Sequence, residues 1–235
     1  MALPADAPSL ARLAKVELKK IFTNVNGTPL DEPSLFPIFE RATVHHGIPS
    51  WMHPTRSASF ADYPGETKSK YEIWQVFGWP YETSVAMARL VFSGMFDRLP
   101  QLRLITHHLG AMVPFFEGRV GPLWDQLGSR TSDEDYSGIL AAMKAKGRRP
   151  IDFFRLFYND TAIGGSQSAI RCELDFFGAE RVLFGTDCPF DPEGGPQFIR
   201  ETIAVLDAMD LTDAERDAIY FRNAQAMLAK CDHCS

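Results

Sequence analysis

LRLITHHLGAMVPFFEGR, residues 102–119, opens as a short apolar run (Leu102, Leu104, Ile105) and delivers two histidines, His107 and His108, before a Leu109-Gly110 break. The spacing predicts a strand over 102–106 and an amphipathic helix beginning near Pro114. A strand that ends in titratable groups just ahead of a helix is where α/β proteins keep their chemistry. A histidine pair capping a helix start is the plainer reading of this one stretch. It weakens because other stretches of the chain end in the same way.

Upstream, residues 48–53 read as a strand ending in His53-Pro54-Thr55-Arg56. Before it, 31–46 has helical periodicity, with Pro33 in the first turn and Gly47 as the closing glycine. Further back, 8–19 reads as a helix and 21–23 as a strand running to Asn24. Residues 57–80 are polar and aromatic-rich (Tyr71, Trp74, Phe77, Trp79) and read as a long functional loop, followed by a helix over 82–96. Downstream, 128–150 is polar with one short helical pattern at 139–146. Residues 153–159 read as a strand delivering Asp160, and 166–177 as a helix closed by Gly178. Residues 181–185 read as a strand ending at Thr186-Asp187, and 196–209 and 212–230 as helices. The second of these opens on a capping pattern, Thr212 to Glu215.

The chain thus repeats strand, loop, helix, the pattern of a parallel sheet covered by helices. Its strand ends fall at Asn24, His53, His107/His108, Asp160 and Asp187. In a parallel barrel these would meet on one rim. A doubly wound sheet is the alternative, against which stands the lack of a Gly-rich phosphate loop; Gly164-Gly165 is only a fragment of one.

With 235 residues, 45% of them apolar, and no linker-like stretch, one domain over 1–230 with a short tail at 231–235 is expected. A net charge of −6 argues against nucleic acid or an anionic membrane as a partner. No apolar run reaches the ~20 residues of a membrane helix. The start, MALPADAPSL, lacks a basic region followed by an apolar one, so a cytoplasmic protein is expected. Cys172, Cys188, Cys231 and Cys234 are too few and too scattered for a disulfide framework. Cys231 and Cys234 have metal-ligand spacing but no second pair, and read as part of a disordered tail.

Histidine and aspartate at converging strand ends suit a divalent metal, which acidifies bound water or polarises a carbonyl. By this logic His53 and Asp187 are the metal-ligand candidates, and the 107/108 pair the acid/base candidates. The spacing leaves a second reading open, with Asp187 capping a turn before Pro189 and His53 a hydrogen-bonded loop residue. His45 and His46 sit at a helix end, where a cationic side chain is favoured, and read as structural. Cys188 has no base beside it in sequence and reads as a rim thiol.

Several segments together resemble the metal-dependent amidohydrolase-related family that contains aminocarboxymuconate semialdehyde and γ-resorcylate-type decarboxylases. They are IFTNVNGTPL (21–30), Trp51-Met52-His53-Pro54, THHLGAMVP (106–114), LFGTDCPF (183–190) and Arg222-Asn223-Ala224. The resemblance implies a (β/α)8 TIM-type barrel. It implies His53 and Asp187 as metal ligands, with zinc expected first and manganese as the alternative. It implies His108 as the catalytic histidine, placed six residues before Pro114, with Asp187 also serving in catalysis. Arg119 matches an arginine that binds a substrate carboxylate in some members, in a homodimer; Arg56 and Trp79 are further pocket candidates.

One departure stands out. The family's first strand ends in His-x-His, supplying two more ligands, and this chain contains no His-x-His. An incomplete barrel lacking most of strands 1–3 is therefore expected, and with two ligands left, weak metal binding. The expected activity is non-oxidative decarboxylation of a small aromatic or unsaturated carboxylic acid. The alternatives are hydrolysis or hydration by the same machinery, or a non-catalytic remnant acting as an interaction partner.

Overall fold

The computed structural model describes residues 32–130 and 133–228. The readings at 8–19 and 21–23, the strand end at Asn24, and the Cys231/Cys234 pair lie outside the described residues. Four short parallel strands form the sheet: β1 Ser50–Met52, β2 Leu104–Thr106, β3 Tyr158–Asp160 and β4 Val182–Leu183. Their order in the sheet is β1-β2-β3-β4, the order of the chain. A doubly wound sheet reverses its order at a switch point, whereas a (β/α)8 barrel does not. The winding is that of the barrel.

The helices are α1 Glu32–Glu40, α2 Ile73–Val76, α3 Gly78–Phe92, α4 Met95–Arg98, α5 Glu117–Trp124, α6 Ser137–Ala145, α7 Pro150–Phe154, α8 Gln167–Phe177, α9 Pro196–Ala208, α10 Asp213–Asp217 and α11 Asn223–Leu228. Among the described residues, no helix is long and apolar enough to cross a membrane. The expected capping pair is formed: Glu215 N–H donates to Thr212 Oγ1 at 3.2 Å, and Thr212 N–H to Glu215 Oε2 at 2.8 Å.

Two boundaries differ from the sequence reading. Residues 153–156 are not strand, because Pro150 starts α7 there and the Asp152 carboxylate accepts the Arg149 N–H at 2.8 Å. The long loop ends early. Ile73–Val76 is helical and α3 begins at Gly78, with Pro80 in its first turn, where its missing N–H costs nothing.

Beneath the strands, Met52, Met87, Leu104, Phe154 and Phe157 are fully buried in one cluster, joining β1 and β2 to α3 and the segment after α7. Each such side chain contributes about 1.5–3 kcal/mol on burial. A second cluster (Leu109, Ile170, Leu174, Val182, Leu206, Ile219) holds α8 and α9 against β4 and the turn after β2. Asn223 closes the C-terminal end: its Nδ2 donates to the carbonyls of Ala179 and Val182, both at 2.7 Å.

Candidate active site

The register aligns the strand ends. Met52 pairs with Thr106, and Thr106 with Asn159. The residues that follow these are His53, His107 and Asp160, so three polar groups about fifty positions apart in sequence come to neighbouring strand ends. Asp187 arrives four residues beyond β4.

After Thr106 the chain does not continue as a strand. His108, Leu109, Gly110 and Ala111 all have left-handed backbones, with φ of 58°, 58°, 70° and 60°. Such a run is costly for side-chain-bearing residues, and Asp160 is what holds it. The Asp160 backbone carbonyl accepts the Leu109 N–H at 3.1 Å, and its Oδ1 accepts the His108 N–H at 3.1 Å and the Ala162 N–H at 3.2 Å. Its Oδ2 accepts from His107 Nδ1. Asp160 is fully buried with both oxygens used.

Gly110 belongs to this turn by necessity. A Cβ there would lie 2.5 Å from Phe177 Cε2 and 2.9 Å from Asn159 Oδ1, both on buried side chains, at φ +70°. Gly110→Ala is expected to destabilise the protein by about 1–3 kcal/mol, read as a lower thermal midpoint of the purified variant. An unchanged midpoint would mean that the turn relaxes freely.

The left-handed turn sends both imidazoles the same way, with ring centroids 4.3 Å apart. Strand alternation predicts that His107 faces the helices. Instead its Nε2 lies 3.3 Å from Asp187 Oδ1, while His108 Nε2 lies 3.8 Å from Asp187 Oδ2. Among the described residues, the buried His108 Nδ1 has no hydrogen-bond partner. Burial alone lowers the His107 pKa, but its hydrogen bonds to Asp160 and Asp187 and their charges outweigh this and raise it to about 10. Burial likewise raises Asp187, but the hydrogen bonds from the two imidazoles prevail and hold its carboxyl well below the usual range.

His53 completes the cluster, its ring 5.2 Å from that of His107 and 6.3 Å from that of His108. Its Nδ1 is 2.6 Å from the Pro54 carbonyl. A carbonyl only accepts, so Nδ1 carries the hydrogen and Nε2 keeps its lone pair. Burial lowers the pKa of His53, which favours that neutral form. Trp79 packs edge-on against His53 at 5.2 Å. The Arg56 backbone carbonyl accepts the Trp79 indole N–H at 2.9 Å, and the Arg56 guanidinium lies over the Phe60 ring at 5.1 Å. Arg119 is elsewhere. It is exposed on α5, lining an apolar groove of about 390 Å³ with Val85, Ala88, Met112 and Trp124.

Among the described residues, His107, His108 and Asp187 are the group whose ligand atoms all lie within 4.8 Å of one another. A divalent metal fits this donor set. Nitrogen and carboxylate oxygen are its usual ligands. His107 gives its Nδ1–H to a buried carboxylate, the arrangement that orients a metal-binding imidazole. The sequence offers His107 only as half of an acid/base pair and Asp160 only as a strand end. That His107 faces Asp187 and that Asp160 anchors it follow from the register of the strands and the left-handed turn.

Comparison with known proteins places the chain in context. The family model described as amidohydrolase matches residues 10–230. A 2-amino-3-carboxymuconate-6-semialdehyde decarboxylase from Dictyostelium discoideum is 29% identical over 171 residues, which are 73% of this chain and 43% of that protein. A γ-resorcylate decarboxylase from Rhodococcus jostii (strain RHA1) is 30% identical over 98% of this chain and 70% of its own length. A solved dihydroxybenzoic acid decarboxylase from Polaromonas sp. JS666, holding manganese and 2-nitroresorcinol, superposes with a TM-score of 0.65 at 23% identity over 97% of this chain and 68% of that one.

Proposed function

We propose that this chain, which belongs to the amidohydrolase family, carries machinery of a metal-dependent decarboxylase for a small aromatic or unsaturated carboxylic acid. The observation that carries this reading is the Asp160–His107–Asp187 chain, with His108 and His53 against it. The decarboxylases among the relatives supply the reaction class.

Asp187, His53 and His107 would hold the metal: Asp187 is kept ionised, His53 engages Pro54 through Nδ1 and presents Nε2, and His107, anchored to Asp160 through Nδ1, would give up the Nε2 proton it shares with Asp187 on binding. Bound there, a divalent metal would supply Lewis acidity toward substrate oxygens; zinc and manganese both suit the donors. His108 moves the proton. As the carbon–carbon bond to the carboxylate breaks, its electron pair stays on the substrate carbon, which then takes a proton from His108. Asp187 acts in catalysis as the ionised group that fixes His107 and His108, since its low pKa makes it a poor donor. Trp79 packs against His53 and bounds the site on that side. Arg56 is the nearer candidate for the substrate carboxylate. Arg119 stands outside the imidazole cluster, so its part in carboxylate binding calls for a second copy of the chain, and a homodimer is expected in light scattering.

The test is direct. Protein loaded with Mn²⁺ or Zn²⁺ is expected to release CO₂ from at least one of a panel of hydroxybenzoates and muconate-type acids, and apo protein to release none. Stoichiometric metal binding with no CO₂ release across the panel would overturn the decarboxylase reading in favour of hydrolysis or hydration.

A further inference from the structure

The strand-end loop that carries His53 is held from another element. Glu82, on the second turn of α3, accepts two consecutive backbone N–H groups with one oxygen: Thr55 N–H at 2.6 Å and Arg56 N–H at 2.7 Å from Oε2. Hydrogen bonds to an ionised carboxylate are about twice as strong as neutral ones. One turn earlier, Trp79 Nε1–H donates to the Arg56 carbonyl at 2.9 Å. The same helix reaches the other histidine loop. Ser84 Oγ donates to the Pro80 carbonyl at 2.8 Å and accepts the Met112 N–H at 3.0 Å, just past the left-handed turn that aims His107 and His108. The helix itself is anchored through buried Met87, Leu90 and Val91.

We propose that Glu82 is the positioning residue of the site: α3 is the rigid bar across the two histidine loops, and the Glu82 carboxylate sets the distance of His53 from His107. A site held to a fraction of an ångström needs a packed element of this kind, because loops alone are too loose. Glu82 bonds the Thr55 and Arg56 amides and acts through them. The metal-affinity consequence rests on the reading proposed above; the clamp itself does not.

Two measurements on the purified full chain separate them: amide hydrogen exchange at Thr55 and Arg56, made without metal, and Mn²⁺ affinity by titration. Glu82→Ala is expected to speed exchange at both amides and to weaken Mn²⁺ about tenfold, in the range seen for groups that orient ligands, with the thermal midpoint near that of the parent. Glu82→Gln keeps an accepting oxygen and is expected to restore most of the protection and affinity; it also decides the matter if the alanine variant does not fold. Unchanged exchange in both variants, or faster exchange with unchanged Mn²⁺ affinity, would overturn the proposal. If the parent chain binds no Mn²⁺, the metal reading fails instead, and the exchange rates alone judge the clamp.

Discussion

Asp187→Asn is expected to lower turnover by about 10²- to 10⁴-fold, the upper end being the loss when a carboxylate that orients a catalytic imidazole becomes its amide, and to weaken metal binding. The carboxylate faces two imidazoles, at 3.3 Å from His107 Nε2 and 3.8 Å from His108 Nε2. Asparagine keeps the shape but loses the charge, and it presents either a neutral oxygen or an N–H to nitrogens that need an anion. The backbone is not what breaks. Asp187 has φ +62°, a conformation that asparagine adopts more readily than most residues. The fold should therefore survive, and the loss can be assigned to the site. Metal content after dialysis, turnover and thermal midpoint of the variant check this together. Turnover within tenfold of the parent would remove Asp187 from the chemistry.

Glu173→Met is expected to stabilise the protein at pH 7. Glu173 lies on α8, fully buried, and neither carboxyl oxygen has a hydrogen-bond partner among the described residues. Burial, and then the charge of Asp160, push its pKa well above the ordinary value of 4.5. The folded state therefore holds the proton over a range in which the unfolded chain has released it. Below pH 4.5 both states are protonated and the group is neutral in its effect. Above it the unfolded state gains from ionising, and stability falls as pH rises toward the folded-state pKa.

Methionine fills a similar volume with no polar atom to bury. The expected gain at pH 7 is about 1–3 kcal/mol, the cost of a buried unsatisfied group. In a chain of this size, about 2–4 °C of thermal midpoint corresponds to each kcal/mol. The gap between variant and parent should narrow as the pH drops toward 4.5. A midpoint at pH 7 equal to or below the parent's would show that Glu173 has a partner that stabilises it.

Much of the fold is legible in local pattern. The strands at 50–52, 104–106 and 182–183 lie inside the runs predicted for them, because short apolar runs bounded by turn residues have few other uses in an α/β chain. The helix at 167–177 and the Thr212 capping pair follow from local signals in the same way. The miss at 153–156 is also local: an aromatic run looks like a strand, but Pro150 and Asp152 had already committed it to a helical turn.

What the sequence by itself determined is the inventory of the site and its order. His53, His107/His108, Asp160 and Asp187 lie at or shortly after strand ends, and that is fixed by where the apolar runs stop. Only the tertiary structure decided which of them meet and with which atoms. Parallel register brings His53, His107 and Asp160 to neighbouring strand ends, and no local rule encodes a pairing across such separations. That His108 faces the same way as His107 was decided by a left-handed turn, beginning at His108 and held by Asp160 from another strand. Strand alternation is a rule about extended backbone, and it stopped applying one residue before the chemistry began.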